Sequence, residues 1–266
     1  MSFAPALPLS GYAGWTLLKR TMPAQTAAFN ASPEIKTDEA YFRARIGSVK
    51  TAEQLVADRR LLKVALGAFG LEADITNRFF IRKVLEDGTL KRDALANKLA
   101  DKSYQKLSST FGFGNFSTPS TQISDFADKI ITAYRARSFE AAVGAQDSDM
   151  RLALNAEREL KDLAGKTSSE NTKWYGILGS EPLRKVFETA LGLPSAFGTL
   201  DIDQQLSVIK SKAKSQLGSD KVSDLGNADA MDKLLRRFLI RGEVAALGGG
   251  TSAAQNALTL LQNIRR

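Results

Sequence analysis

Histidine and cysteine, which carry most acid/base, thiol and zinc chemistry near neutral pH, are both absent from the 266-residue chain. Chemistry must come from carboxylates, amines, hydroxyls or backbone amides. Ala164-Gly165-Lys166-Thr167 has the ending of a phosphate-binding loop, but that loop needs a glycine five places before Gly165, where Leu160 stands. The residues before it have helical rather than strand spacing, so Gly165 reads as a helix C-cap. Gly248-Gly249-Gly250-Thr251-Ser252 places consecutive amides ahead of a helix, an arrangement able to hold an anion, but reads better as a flexible hinge. Asp220, Asp224 and Asp229 lack the alternate spacing and central glycine of a calcium loop. Glu157 and Glu159 read as exposed helix residues, and a carboxylate pair assembled only by the fold would leave no spacing signature. Trp15, Trp174 and Tyr175 could stack on bases, yet isolated aromatics more often anchor cores or interfaces. No catalytic, cofactor-binding or metal-ligating residue is assigned, no cofactor is implied, and a non-enzymatic protein is expected.

The net charge is +8, from 37 Lys+Arg against 29 Asp+Glu, which favours an acidic partner without naming one. Cations cluster at Arg59, Arg60 and Lys63, at Lys210, Lys212 and Lys214, and at Arg236, Arg237 and Arg241. Leu61, Leu62, Leu234 and Leu235 interrupt two of these clusters at helical spacing, as on an amphipathic helix with a solvated cationic face. Arg236, Arg237 and Arg241 are the candidate contacts for an acidic partner.

Positioning these residues falls to helices. Ser32, Pro33 and Glu34 supply an N-cap, a first-position proline and a first-turn carboxylate. Thr51-Ala52-Glu53-Gln54 fits a capping box, Gly70 is placed to end the following helix, and Asp74 to cap the next. Ile75, Phe79, Phe80 and Val84 recur at three- and four-residue steps, as do Ile123, Phe126, Ile130 and Tyr134, and then Met150, Leu154, Leu160 and Leu163. Gly112 to Pro119 and Gly165 to Asn171 read as loops. Alternating strand patterns are scarce, so the fold class is all-α, a multi-helix protein.

Two sequence elements occur twice in the same order. Residues 61–71 match residues 183–193 at Leu, Lys, Val, Ala, Gly and Leu without a gap, and Arg78-Phe79-Phe80-Ile81-Arg82 is echoed by Arg237-Phe238-Leu239-Ile240-Arg241. Amphipathic periodicity produces such matches by chance; the other reading is a duplicated helix-turn-helix unit. The expected organisation is an extended N-terminal segment over 1–31, helical modules over 32–114 and 172–247 flanking central helices over 121–164, and a C-terminal helix over 251–266. Ala254, Leu258, Leu261 and Ile264 form an apolar stripe on that last helix and are the candidate partner-binding residues.

Pro8-Leu9-Ser10-Gly11-Tyr12-Ala13-Gly14-Trp15, residues 57–71, Ile81-Arg82-Lys83-Val84-Leu85-Glu86 and Thr110-Phe111-Gly112-Phe113-Gly114 resemble an uncharacterised alphaproteobacterial domain-of-unknown-function family whose genes tend to sit in flagellar gene clusters. The resemblance implies flagellar association without naming a mechanism. Gln255 to Gln262 is similar to the short amphipathic helix that closes flagellins, but the N-terminal region lacks the Ala/Asn-rich assembly helix of rod and hook proteins. An accessory or assembly factor contacting another flagellar protein through helices is therefore expected, with a nucleic-acid-binding module as the alternative. No small-molecule substrate is expected. No apolar run reaches the roughly 18 residues of a membrane span, and cations first appear at Lys19 and Arg20, the wrong order for a cleaved secretory signal. Residence in the cytoplasm, or export to the flagellum without a cleaved signal, follows.

Overall fold

The computed structural model describes residues 3–248. The expected helix over 251–266, with Ala254, Leu258, Leu261 and Ile264, lies outside the described residues. Among those described there are fourteen α-helices, four 3-10 turns and no strand. In chain order the helices are α1 (Gly11–Asn30), α2 (Pro33–Arg45), α3 (Ala52–Ala57), α4 (Arg59–Gly67), α5 (Arg78–Asp87), α6 (Leu95–Lys98), α7 (Ser103–Phe111), α8 (Phe126–Gly144), α9 (Ser148–Ala164), α10 (Glu170–Leu178), α11 (Glu181–Leu191), α12 (Ile202–Leu217), α13 (Val222–Leu225) and α14 (Ala228–Gly248). No described helix is long and apolar enough to cross a membrane.

The chain divides into two compact units, one of Met1–Leu7 with Leu18–Gln146, the other of Pro8–Leu17 with Asp147–Arg266. This corrects the expected organisation in two places. Residues 11–30 are helical rather than extended, although Pro23 sits inside α1 and removes one backbone donor. Burial of Trp15, Leu18 and Phe29 supplies the stabilisation that weak local signals do not. The expected central pair is also divided: α8 belongs to the first unit and α9 to the second. The buried Phe126, Ile130 and Tyr134 belong to a helix that packs on α2 and α4, whereas α9, which buries Met150, Leu154 and Leu160, packs on α11, α13 and α14.

Helix starts follow local chemistry. Gln54 N–H donates to Thr51 Oγ1 at 3.2 Å, and Lys50 N–H donates to the Gln54 side-chain oxygen at 2.7 Å, so the capping box closes with its return arm one residue early. Asp58 caps α4 by accepting from Arg60 and Leu61, and Asp147 caps α9 by accepting from Met150. Ser32 and Pro33 open α2 as expected, although Ser32 makes no side-chain capping bond. Asp74 does not cap α5; it lies in a 3-10 turn over Glu72–Thr76, and Asn77 takes the N-cap position. The core face of α5 is Ile81, Val84 and Leu85, and Phe79 is 83% exposed. In the second unit Trp174 is fully buried, stands edge-on to Phe187 at 5.5 Å and donates its indole N–H to the Asp220 carbonyl at 2.8 Å.

The internal echo survives in one half only. Leu61, Val64, Ala65 and Ala68 are buried on the first copy, as are Leu183, Val186, Phe187 and Ala190 at the matching positions. Gly70 and Gly192 both take positive φ, at 75° and 62°. Each lies against an arginine of a long helix in its own unit, Arg137 of α8 and Arg241 of α14. The second match fails: α11 packs chiefly on α14, while α4 packs on α2, α3 and α8 rather than on α5. Burial is out of step too, with Phe79 exposed where Phe238 is buried and Ile81 buried where Ile240 is exposed.

Gly192 has a conformation that costs an L-residue about 1–2 kcal/mol, and a Cβ there would lie 2.4 Å from an Arg241 nitrogen. Gly192→Ala is expected to destabilise the protein by roughly that amount, read as a lower urea midpoint with an unchanged far-UV spectrum.

Candidate functional site

Helix α2 buries only four side chains, and two of them, Asp38 and Glu39, are acidic, flanked by Ile35 and Phe42. Buried carboxylates require partners. Consecutive residues of α8 supply one each: Tyr134 Oη donates to Asp38 Oδ2 at 3.0 Å, and the Arg135 guanidinium forks onto both oxygens of Glu39. From α4, Lys63 Nζ reaches Asp38 Oδ2 and Glu34 Oε1, each at 2.8 Å. Gly67, one turn further along α4, makes room for the Tyr134 ring, since a Cβ there would meet it at 2.8 Å. Beside this cluster lies a cavity of about 230 Å³ with Phe3, Phe29, Ile35, Lys63, Tyr134 and Arg137 in its wall.

The cluster holds its protons firmly. Burial alone would lower the Lys63 amine, but its bonds to Asp38 and Glu34 outweigh that and raise it above the usual lysine range. Burial and the Asp38 charge raise the Tyr134 phenol above its ordinary value against the opposing pull of Lys63. At neutral pH the amine stays an ammonium and the phenol stays protonated. This is the reverse of what a nucleophilic lysine or a tyrosinate base requires. The chemistry available here is charge pairing and hydrogen-bond donation. Among the described residues, no group of three or more His, Cys, Asp or Glu is placed to hold a metal ion.

A second polar cluster lies in the second unit. The buried Lys173 donates to the Ala164 carbonyl at 3.1 Å and to Glu170 at 3.0 Å. Glu170 also accepts from Ser223 Oγ at 2.6 Å and Ser223 N–H at 3.2 Å, tying the start of α10 to α13. Burial would push its carboxyl up, but the bonds from Ser223 and Lys173 prevail and bring it down to about 2.

Several sequence candidates have structural partners. Arg237 donates to the Ala190 carbonyl at 3.2 Å and bonds Gln216, so it braces α14 against its neighbours. Arg236 stands over the Tyr12 ring at 5.4 Å, and Arg241 covers Gly192. Arg60 lies 3.9 Å over the Tyr41 ring, which leaves Arg59 as the freest member of the cluster that includes Lys63. Lys210 donates to Asn171 at 3.0 Å, while Lys212 and Lys214 are exposed. Gly165 does cap α9, and Trp15 and Trp174 are buried in the core. Glu157 and Glu159 depart from expectation: their side chains are only 19% and 12% exposed, and Ser180 donates to Glu159. Sequence reading missed Asp38, Glu39 and Arg135 and took Tyr134 only as part of an apolar stripe; the available signal was two acids on the same helix face as Ile35 and Phe42.

The fold is an all-α protein of two compact units, each with an apolar core and one cluster of paired polar side chains. The family model described as "Protein of unknown function (DUF1217)" matches residues 68–231, and the chain belongs to that family. A crystal structure of an Agrobacterium tumefaciens protein is similar to it, with 28% identity, a TM-score of 0.71, and coverage of 90% of this chain and 98% of that one. No curated protein matches.

Because Lys63 and Tyr134 bind protons more tightly folded than unfolded, the stability they contribute is complete below about pH 10, where the unfolded groups titrate, and declines above it. Lys63→Met is expected to cost roughly 1–3 kcal/mol at pH 8, since the lysine is partly exposed, with a smaller difference at pH 11 by urea denaturation. Glu170 works in the opposite direction. Its contribution is present above the ordinary glutamate range near 4 and is lost as pH falls through about 2, so Glu170→Gln should lower the urea midpoint at pH 7 and lower it markedly less at pH 2.5.

Proposed function

We propose that this protein is a structural or assembly accessory of the flagellum, acting without catalysis through helix-mediated contacts with another flagellar protein. The resemblance to a family encoded beside flagellar genes motivates the reading. The observation that carries the mode of action is on α14, where Ile240 and Val244, four residues apart and so on one face, are 41% and 63% exposed. Arg236 and Arg241 are exposed on the same helix. An apolar pair with cations beside it suits the apolar face of an acidic helix. The protonated, mutually satisfied state of Lys63 and Tyr134 supports a non-catalytic role. The protein works either in the cytoplasm or after export to the flagellum, and fractionation of cells and medium distinguishes these.

The exposed Lys212 and Lys214 on α12 favour a second reading, a basic nucleic-acid-binding module. It ranks lower because Lys63, Arg60 and Arg237 have internal partners. Only weak, sequence-independent binding that fades as salt rises is expected in filter-binding measurements; sequence-selective binding near physiological salt would reverse the ranking.

A clean gene deletion is expected to impair motility and leave incomplete flagella. Wild-type protein should restore swimming, whereas a chain carrying both Ile240→Asp and Val244→Asp should fold normally and fail to restore it. Normal motility in the deletion strain would contradict the role, and full complementation by the double variant would remove α14 from it.

A further inference from the structure

Most cations around the carboxylates of α2 are matched. Arg43 pairs with Asp128, Lys63 with Glu34 and Asp38, and Arg135 with Glu39. Arg45 at the end of α2 and Arg59 and Arg60 at the start of α4 are left over. All three are exposed, and among the described residues no carboxylate lies within ion-pair distance of any of them.

Two of the three are nonetheless held in place. The Arg60 guanidinium lies 3.9 Å from the centroid of the Tyr41 ring and donates to the Thr37 carbonyl at 3.3 Å, and Arg45 lies 5.8 Å from the same centroid. Sharing one ring, the two like charges stand within about 10 Å of each other, close to the screening length at ordinary ionic strength. The ring itself is fixed, because Tyr41 Oη donates to Asp58 Oδ2 at 2.7 Å. Asp58 is the carboxylate that faces this group, and it is already committed: its other oxygen accepts from the Arg60 and Leu61 amides at 2.9 and 3.1 Å. Burial would raise its carboxyl, but the bonds from Tyr41 and those amides, with the Arg45 charge, hold it below its ordinary value. An aromatic face and a carbonyl orient guanidiniums without neutralising them. The result is two positioned, uncompensated forks, with Arg59 next to one of them in the chain.

Such a group recognises an anion with several oxygens and more than one charge. Each fork takes a pair of oxygens, so a diphosphate can serve both where a single carboxylate serves one. With arginines already over it, the Tyr41 ring is no stacking platform for a base, so the group suits a free phosphate anion better than a nucleic-acid strand. We propose that Arg45, Arg59 and Arg60, set by Tyr41, form a binding site for a free phosphate-bearing anion of the diphosphate class. The inference does not depend on the flagellar reading, on α14 or on the lysines of α12.

The test uses the full chain with pyrophosphate as the probe, titrated by calorimetry at fixed ionic strength, and circular dichroism with thermal melts to establish that each variant folds. Wild type should bind pyrophosphate. A chain carrying both Arg45→Gln and Arg60→Gln loses two charge-assisted contacts and should bind at least about tenfold more weakly. Tyr41→Leu leaves the charge unchanged but removes the ring that sets the forks, and should also weaken binding. A chain carrying both Arg78→Gln and Arg92→Gln loses the same charge from exposed arginines outside the group, and should bind as wild type does. No binding by wild type would overturn the proposal. Equal loss in the two double variants would overturn it by reducing the effect to net charge, and full binding by a folded Tyr41→Leu chain would do so by showing that nothing is positioned there. An oligothymidylate that binds through Arg45 and Arg60 and is not displaced by pyrophosphate would overturn it too, by making this surface a nucleic-acid face.

Discussion

A helix that buries two adjacent carboxylates cannot dock on apolar surface alone, and the first unit is arranged around that constraint. Leaving Asp38 or Glu39 unanswered would impose the large cost of an unpaired buried charge. The solution draws on both neighbouring helices: Lys63 from α4, and Tyr134 and Arg135 from α8. Because Tyr134 and Arg135 are consecutive and so are Asp38 and Glu39, α2 and α8 can pair in one register, which an apolar seam would not enforce as strictly. Gly67 belongs to the same solution, since the Tyr134 ring occupies the space its side chain would need.

The all-α class was legible because capped segments with 3.6-residue periodicity cover most of the chain, and Thr51, Asp147 and Gly165 play the local parts their types suggest. Three features were not legible, each for a physical reason. α1 has Pro23 in its interior, and tertiary burial overrides that local penalty. On α5, Phe79, Phe80, Ile81, Val84 and Leu85 offer two apolar stripes, and periodicity alone cannot choose the one that packs inward. On α2 the face-defining positions hold acids, so a pattern that counts apolar residues sees no face where the structure has its most specific contact. Lys63 shows the same limit from the other side. Within a run of cations on α4 it reads as solvated charge, and only the placement of α2 gives it two carboxylates.

The two units use polar contacts for different ends. In the first, the cluster sits among long helices and sets their register. In the second, Lys173 and Glu170 fasten the short helix α13, which four residues could not keep helical unaided. Outside the clusters, Ile240, Val244, Lys212 and Lys214 stand exposed on helix surfaces.

The central claim is that Lys63 is a locked structural cation and not a reactive amine, and its acylation rate measures that directly. The native chain is treated with a limiting amine-acylating reagent at pH 8 and each lysine is followed by mass spectrometry. Lys63 should be among the slowest to react, well behind the exposed Lys212 and Lys214, and Asp38→Asn should accelerate it without a comparable change at those two. Preferential acylation of Lys63 in the wild-type protein, at a rate indifferent to Asp38→Asn, would contradict the account.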